Sequence, residues 1–297
     1  MSYGGYYGPS NENRGPNLRI IGAIIIAVIG IGIYSFQTQV NPVTGKTQHI
    51  AMSPSEEKAL GLQAAPEMAA KMGGAIDPSR DPRARLVQAV GRRLVERSDA
   101  SRSEYVDNYH FYLLNDSETI NAFALPGGQV FITLGLLEKM TNEAQLAGVL
   151  GHEIGHVVGR HSAAQMAKGR LGQLLTLAVG VGASGEDDNG RKAQMVAAMV
   201  NQVSQLRFSR DDESEADGYG LRYMAQAGYD PSAMLDVMRI LKAASQGSRQ
   251  PEFLATHPLP ETRLQEIESI LAQEYPNGIP ENLIKGVRLE GGQPVGR

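Results

Sequence analysis

His152, Glu153 and His156 stand in the chain as His-Glu-Ile-Gly-His. On a helix, positions four apart lie about 40° from one another around the axis, so both imidazoles can be aimed at one ion. Glu153 then sits beside them, near the ion's open position. Such a trio supports hydrolysis, with two ligands for a divalent metal and one carboxylate to take a proton from water. The chain has no cysteine, which excludes disulfides, thiolate zinc sites and thiol catalysis; any metal must be held by His, Asp or Glu.

A catalytic metal of this type needs a third protein ligand. Downstream, Asp211-Asp212-Glu213-Ser214-Glu215-Ala216-Asp217 opens a second helical pattern that ends near Gly228. Glu213 and Asp217 share a face at i, i+4. This spacing lets Glu213 ligate while Asp217 accepts a hydrogen bond from the ring N–H of a metal-bound histidine. A solvated helix start that complements the macrodipole accounts for Asp211, Asp212 or Glu215. His161 follows His156 by five residues, about 140° around a continuous helix, and reads as a helix-end or core residue. His49 and His110 are assigned structural roles.

These residues need a folded frame. With 297 residues, 42% hydrophobic and 20% charged, the chain is long enough for a packed core and is not a disordered or fibrous protein. Its formal net charge of −4 gives no basic footprint, so nucleic acid is not an expected partner. Residues 1–18 form a Gly/Tyr-rich tail without periodicity. Ile20–Phe36 carries no charge and is nearly all Ile, Val, Ala and Gly, so residues 19–36 are expected to form one transmembrane anchor. No small-x-small site follows it, which argues against cleavage. Arg14 and Arg19 stand ahead of the stretch and no positive charge follows until Lys46. The tail is therefore expected in the cytoplasm and the bulk of the chain on the other side.

After a polar linker over 37–52, residues 53–297 read as one domain without an internal repeat. Asn142 or Thr141 opens the helix that carries His152, and Asp81-Pro82 and Asp230-Pro231 open two amphipathic helices. Strand patterns over Tyr109–Leu114, Thr119–Ala124 and Gln129–Leu134 predict a small antiparallel sheet. Leu171–Ala183 reads as a buried helix or an interfacial segment. The expected fold is α+β and mainly helical, with a zinc-centred helix pair and a sheet bordering the cleft.

Four motifs then resemble a known family. His152–His156, Glu213-Ser214-Glu215-Ala216-Asp217, Asn121-Ala122-Phe123-Ala124-Leu125-Pro126-Gly127-Gly128, and Thr256-His257-Pro258 with Arg263 occur in the order found in HtpX- and BepA-like zinc metallopeptidases. These gluzincin-type enzymes are relatives of the CAAX prenyl endopeptidases. The resemblance covers about residues 53–275 and implies a zincin-like domain holding one zinc through His152, His156 and Glu213, with Asp217 behind them. It also implies that Asn121, Ala122, Phe123 and Ala124 form a substrate-binding edge strand. His257, in the T-H-P element, either donates to the oxyanion of the transition state or blocks the metal's fourth position. Arg263 serves as a salt-bridge partner or as charge support for the site. Multi-spanning members embed their site among several membrane helices, whereas this chain resembles the single-anchor, mostly soluble branch.

The expectation is a membrane-anchored zinc endopeptidase acting on extended or misfolded polypeptide in quality control, with Glu153 as general base. Its catalytic domain would lie on the non-cytoplasmic side, the periplasm in a bacterium. The alternative is a membrane-tethered chaperone or adaptor with latent or little protease activity.

Overall fold

The structure, a computed structural model, describes residues 18–50, 52–169, 206–246, 251–258 and 261–295. Residues 1–17 of the tail and the Leu171–Ala183 run lie outside the described residues.

Helix α1 (Leu18–Phe36) opens the described chain. Over the side chains described, no helix is long and apolar enough to cross a membrane. Behind α1, β1 (Thr38–Val40) and β2 (Thr47–His49) pair as an antiparallel hairpin with Gln39 opposite Gln48, so residues 37–50 carry structure of their own. Helix α2 (Pro54–Lys71) is launched by a capping box in which Ser53 and Glu56 satisfy one another's backbone N–H groups. Helix α3 (Pro82–Glu96) starts where Asp81 accepts from the Arg83 N–H at 2.8 Å, as its Asp-Pro signal predicts.

The main sheet has strands β3 (His110–Leu114), β4 (Ala122–Leu125) and β5 (Gln129–Thr133) in the order β3-β5-β4. It is mixed rather than wholly antiparallel. β5 is buried at all five positions, so its backbone groups must find partners along both edges. β4 supplies one edge through the expected antiparallel hairpin, turning at Gly127 and Gly128 with φ of 81° and 106°. β3 supplies the other edge in parallel; the loop after it carries the chain past β5 and leaves β4 at the margin. Among the described residues, no strand pairs with the outer edge of β4.

Alternation along the strands separates two apolar layers. Phe111, Leu113, Val130 and Ile132 face the core shared with α3, while Leu114, Leu125 and Phe131 face Ala64, Ala65 and Met68 of α2. A short helix α4 (Leu134–Leu137) leads into α5 (Glu143–Val158), which is buried from Ala144 to Val158. Asn142 is its cap, accepting from the Gln145 N–H at 3.1 Å.

Small residues let α6 (Arg210–Gln226) lie close against α5. Gly151 faces Gly220, and a Cβ placed on Gly155 would sit 2.9 Å from the Ala216 carbonyl oxygen. Helices α7 (Ala233–Ser245), α8 (Phe253–Thr256) and α9 (Glu261–Glu274) complete the bundle. α7 starts later than its Asp-Pro signal predicts, because Asp230 spends its carboxylate on the backbone and hydroxyl of Ser232, at 2.8 and 2.6 Å. A last hairpin, β6 (Arg288–Glu290) and β7 (Gln293–Val295), closes the described chain.

Candidate metal centre

Because α5 and α6 are in backbone contact, the short side chains on their facing surfaces meet. His152 and His156 project from α5, Glu213 and Asp217 from α6, and His257 follows the last turn of α8. All five are at most 2% exposed. Four donor atoms converge: His156 Nε2 lies 3.1 Å from His152 Nε2 and 3.4 Å from Glu213 Oε1, and His257 Nδ1 lies 3.3 Å from His152 Nε2 and 2.9 Å from Glu213 Oε1. Ligands held at zinc-type bond lengths on a tetrahedron are about 3.3 Å apart, so this donor set fits a four-coordinate divalent ion. Three ring nitrogens and a carboxylate facing one another offer lone pairs to a cation, which also fits.

The converging side chains are held from behind. His152 Nδ1 lies 2.9 Å from Asp217 Oδ1, the carboxylate expected there. Arg263, 1% exposed, spans both acids: Nε and Nη2 donate to Asp217 at 2.7 Å each, and Nη1 lies 2.5 Å from Glu213 Oε2. Nη1 also donates to the Pro258 carbonyl at 3.1 Å, tying the His257 loop to α9. Arg263 thus makes its ion pairs with the acids of the site, and Ser214 occupies Glu266 at 2.6 Å. Phe208 lies 4.1 Å, centroid to centroid, from the His156 ring, and Phe253 stacks on His257 at 4.4 Å.

The surroundings set the charge states. Burial drives the His156 ring well below the usual histidine range, which keeps it neutral and able to ligate. Burial also opposes ionisation of Glu213, but the neighbouring His257, His156 and His152 hold its carboxyl well below the usual range. Glu153 is 1% exposed, with its Oε1 unpartnered and 3.7 Å from His257 Nε2. Burial raises its proton affinity, and no neighbour reverses that.

The structure gathers the predicted His152, Glu153, His156, Glu213, Asp217, His257 and Arg263 at one place. Ala122, Phe123 and Ala124 lie on β4; Asn121 immediately precedes it, exchanging bonds with Thr133 and leaving its own Oδ1 unpartnered. His49 and His110 stay apart from the cluster, with His49 stacked on Tyr34 and His110 bonded to the Asn108 carbonyl.

One assignment is extended and one is corrected. His161 is 1% exposed, and its Nδ1 lies 2.9 Å from His156 Nδ1. It is the buried helix-end residue expected, yet it does not turn away from His156 as on a continuous helix, because α5 ends at Val158 and Arg160 takes a left-handed φ of 54°, which swings His161 back. Glu215 is not simply part of a solvated helix start: its side chain is 12% exposed, pairs with Lys46 at 2.7 Å and lies 3.5 Å from His161 Nε2. The Gly-Arg pair after the helix was the one sequence signal for this reversal. Phe208 carried no such signal.

Comparison with known proteins agrees with this geometry. The sequence pattern described as "Peptidase family M48" matches residues 81–271. The β-barrel assembly-enhancing protease of Escherichia coli (strain K12) is 34% identical over 195 residues, 64% of this chain and 39% of the relative. The mitochondrial metalloendopeptidase OMA1 of Schizosaccharomyces pombe is 33% identical over 278 residues, 89% of this chain and 78% of the relative. OMA1 of Danio rerio is 28% identical over 247 residues. This chain therefore spans about two fifths of the length of the assembly-enhancing protease that it matches. With that pattern matched across 81–271, the stretch that holds all four converging donor residues, the chain belongs to peptidase family M48.

Proposed function

We propose that this chain is a zinc-dependent endopeptidase, anchored in a membrane by its N-terminal helix, that cleaves extended or misfolded segments of polypeptide in protein quality control. The observation that carries this reading is the convergence of His152, His156 and Glu213 on one point, with a dry Glu153 beside them. Mixed nitrogen and oxygen donors at tetrahedral spacing favour zinc, one ion per chain. When bound, the metal supplies a Lewis acid for water and for the scissile carbonyl.

The chain's own residues do the rest. Asp217 and Arg263 hold His152 and Glu213 in the orientation that ligation needs. Glu153, made more basic by burial, takes the proton of the attacking water on its carboxylate and hands it to the leaving amine. The outer edge of β4, which no strand pairs among the described residues, offers main-chain groups to an extended peptide over Asn121–Ala124.

Anchoring is supported by α1. Nineteen helical residues rise about 28 Å, against a hydrocarbon core of about 30 Å. Ile24, Val28, Ile31 and Phe36 of that helix are all at least half exposed in the isolated chain. Arg14 ahead of it and Arg19 in its first turn favour a cytoplasmic N-terminus and a domain on the opposite side.

His257 supports a second reading. As a fourth donor within ligating distance of the others, it closes the position that water needs, so the arrangement suits a latent enzyme. In that state the domain would hold polypeptide along its edge strand, as a tethered chaperone or adaptor, until the His257 loop withdraws.

The test uses the full chain in detergent, with and without His257→Ala, and measures zinc content and turnover of an unfolded protein. Glu153→Gln should keep its zinc and lose about 10²–10⁴-fold in turnover, while His156→Ala or Glu213→Ala should lose the zinc. Full metal occupancy in either ligand variant, or undiminished turnover by Glu153→Gln, refutes the assignment.

A further inference from the structure

We propose that His161 is a positioning residue for the metal ligand His156, supported in turn by Glu215 and by the hairpin that follows the N-terminal helix. The inference rests on the reading that His152, His156 and Glu213 hold a metal. His156 presents Nε2 to the converging donor atoms and Nδ1 to His161 Nδ1, at 2.9 Å. With Nε2 committed to a cation, a neutral His156 ring carries its proton on Nδ1. That N–H donates to His161 Nδ1, so the proton of His161 resides on Nε2. His161 Nε2 faces Glu215 Oε2 at 3.5 Å, and Glu215 is fixed by Lys46 at 2.7 Å and by the Tyr219 hydroxyl at 3.1 Å. The Nε2 N–H of His161 is thus on the side of the Glu215 carboxylate, without a hydrogen bond between them. His161 holds the His156 ring through this bond and raises the basicity of His156 Nε2 toward the metal, while the Glu215 carboxylate acts on His161 as a nearby charge.

His161 reaches this place because the backbone turns back after α5. A left-handed backbone is strained for an arginine and persists only where the surroundings impose it. The β1–β2 hairpin does so. Asn41 Nδ2 donates to the Val158 carbonyl at 2.6 Å, and Gln48 Nε2 donates to the Gly159 carbonyl at 2.5 Å. These bonds satisfy acceptors that a helix end leaves without partners. The Arg160 guanidinium donates to Gln39 at 2.6 Å and to the Met52 carbonyl at 2.8 Å, and pairs with buried Glu57. Lys46, which ends the relay, belongs to the turn of the same hairpin. The metal ligand on α5 is therefore held, through His161, by the segment that leads out of α1.

The experiment measures zinc affinity by chelator competition, together with the visible spectrum of the cobalt(II) form, in the full chain in detergent. His161→Leu fills the space but accepts no hydrogen bond, and should weaken zinc binding about 10–100-fold and shift the cobalt bands. His161→Asn keeps an acceptor near the place of Nδ1 and should bind within about threefold of the wild type with its cobalt spectrum restored. Glu215→Gln, at a partly open position, should weaken binding by an intermediate factor while the apo melting temperature holds. Zinc affinity in His161→Leu within about threefold of the wild type overturns the proposal. So does an equal loss in His161→Leu and His161→Asn, which would mark a packing role. If His161→Leu does not fold, an undiminished affinity in Glu215→Gln overturns it. Wild-type chain that binds no metal would instead overturn the underlying assignment of the site.

Discussion

Arg263→Leu should be among the most destabilising single substitutions in the domain. The side chain is 1% exposed and carries two bonds to Asp217 at 2.7 Å and one contact with Glu213 at 2.5 Å. Leucine occupies much of the stem's volume but leaves two carboxylates in the interior without their shared counter-ion. Removing one partner of a buried pair costs about 3–5 kcal/mol, most of it the stranded charge. For a domain of this size each kcal/mol moves the melting temperature by about 2–4 °C, so the metal-free chain should melt about 6–20 °C lower. With zinc bound the loss should shrink, since Glu213 then faces a second cation. Arg263→Lys should not rescue it, because a single ammonium cannot span both acids in fork geometry. Adding Asp217→Asn to Arg263→Leu should recover part of the loss by removing one stranded charge. Arg239, which is 60% exposed and pairs with Asp236 along α7, is the control: Arg239→Leu should change stability by less than about 0.5 kcal/mol. The assay is thermal and urea unfolding of each variant with and without chelator. A loss below about 1 kcal/mol for Arg263→Leu in the metal-free chain would refute the argument that this guanidinium neutralises the buried acids.

Gly155→Ala should cost about 1–3 kcal/mol and weaken metal binding, because its methyl group would meet the Ala216 backbone at 2.9–3.0 Å and push α6 away from the histidines. Gly148→Ala, whose nearest neighbour would be the Met234 sulfur at 3.5 Å, should leave binding unchanged; equal metal affinity in both variants would count against close helix contact as the device that sets the site. His257→Ala should raise basal turnover more than about twofold at unchanged zinc content, because a closing donor is removed. A fall of about 10²–10³-fold would instead assign oxyanion donation to His257, and activity within about twofold of the wild type would leave it a packing residue. External protease should digest the C-terminal domain in spheroplasts of a bacterial expression host, and complete protection of that domain would reverse the topology.

Local chemistry made much of the site legible in the sequence. An i, i+4 pair on a helix predicts convergence whatever surrounds it, so spacing groups His152 with His156 and Glu213 with Asp217, and the family resemblance supplies the role of each. Caps such as Asp81 and Asn142 are equally local. What escaped depends on long-range geometry. The parallel β3–β5 pairing follows from the need of a wholly buried β5 for two neighbours, and the reversal at Arg160 follows from bonds made by Gln39, Asn41 and Gln48, more than a hundred residues earlier. Arg263 could be read either way because its role is a matter of charge balance. Glu153, Glu213 and Asp217 bring three carboxylates into the interior, and among the described residues Arg263 is the one guanidinium beside them. Ionised, the group is left with two negative charges, which a low-dielectric interior does not tolerate unmatched. A divalent cation cancels them. The same balance explains why a permanent positive charge can sit beside a candidate cation site: without Arg263 the acids would exceed the charge of one divalent ion, and with a second arginine one divalent ion would leave the group with an excess positive charge.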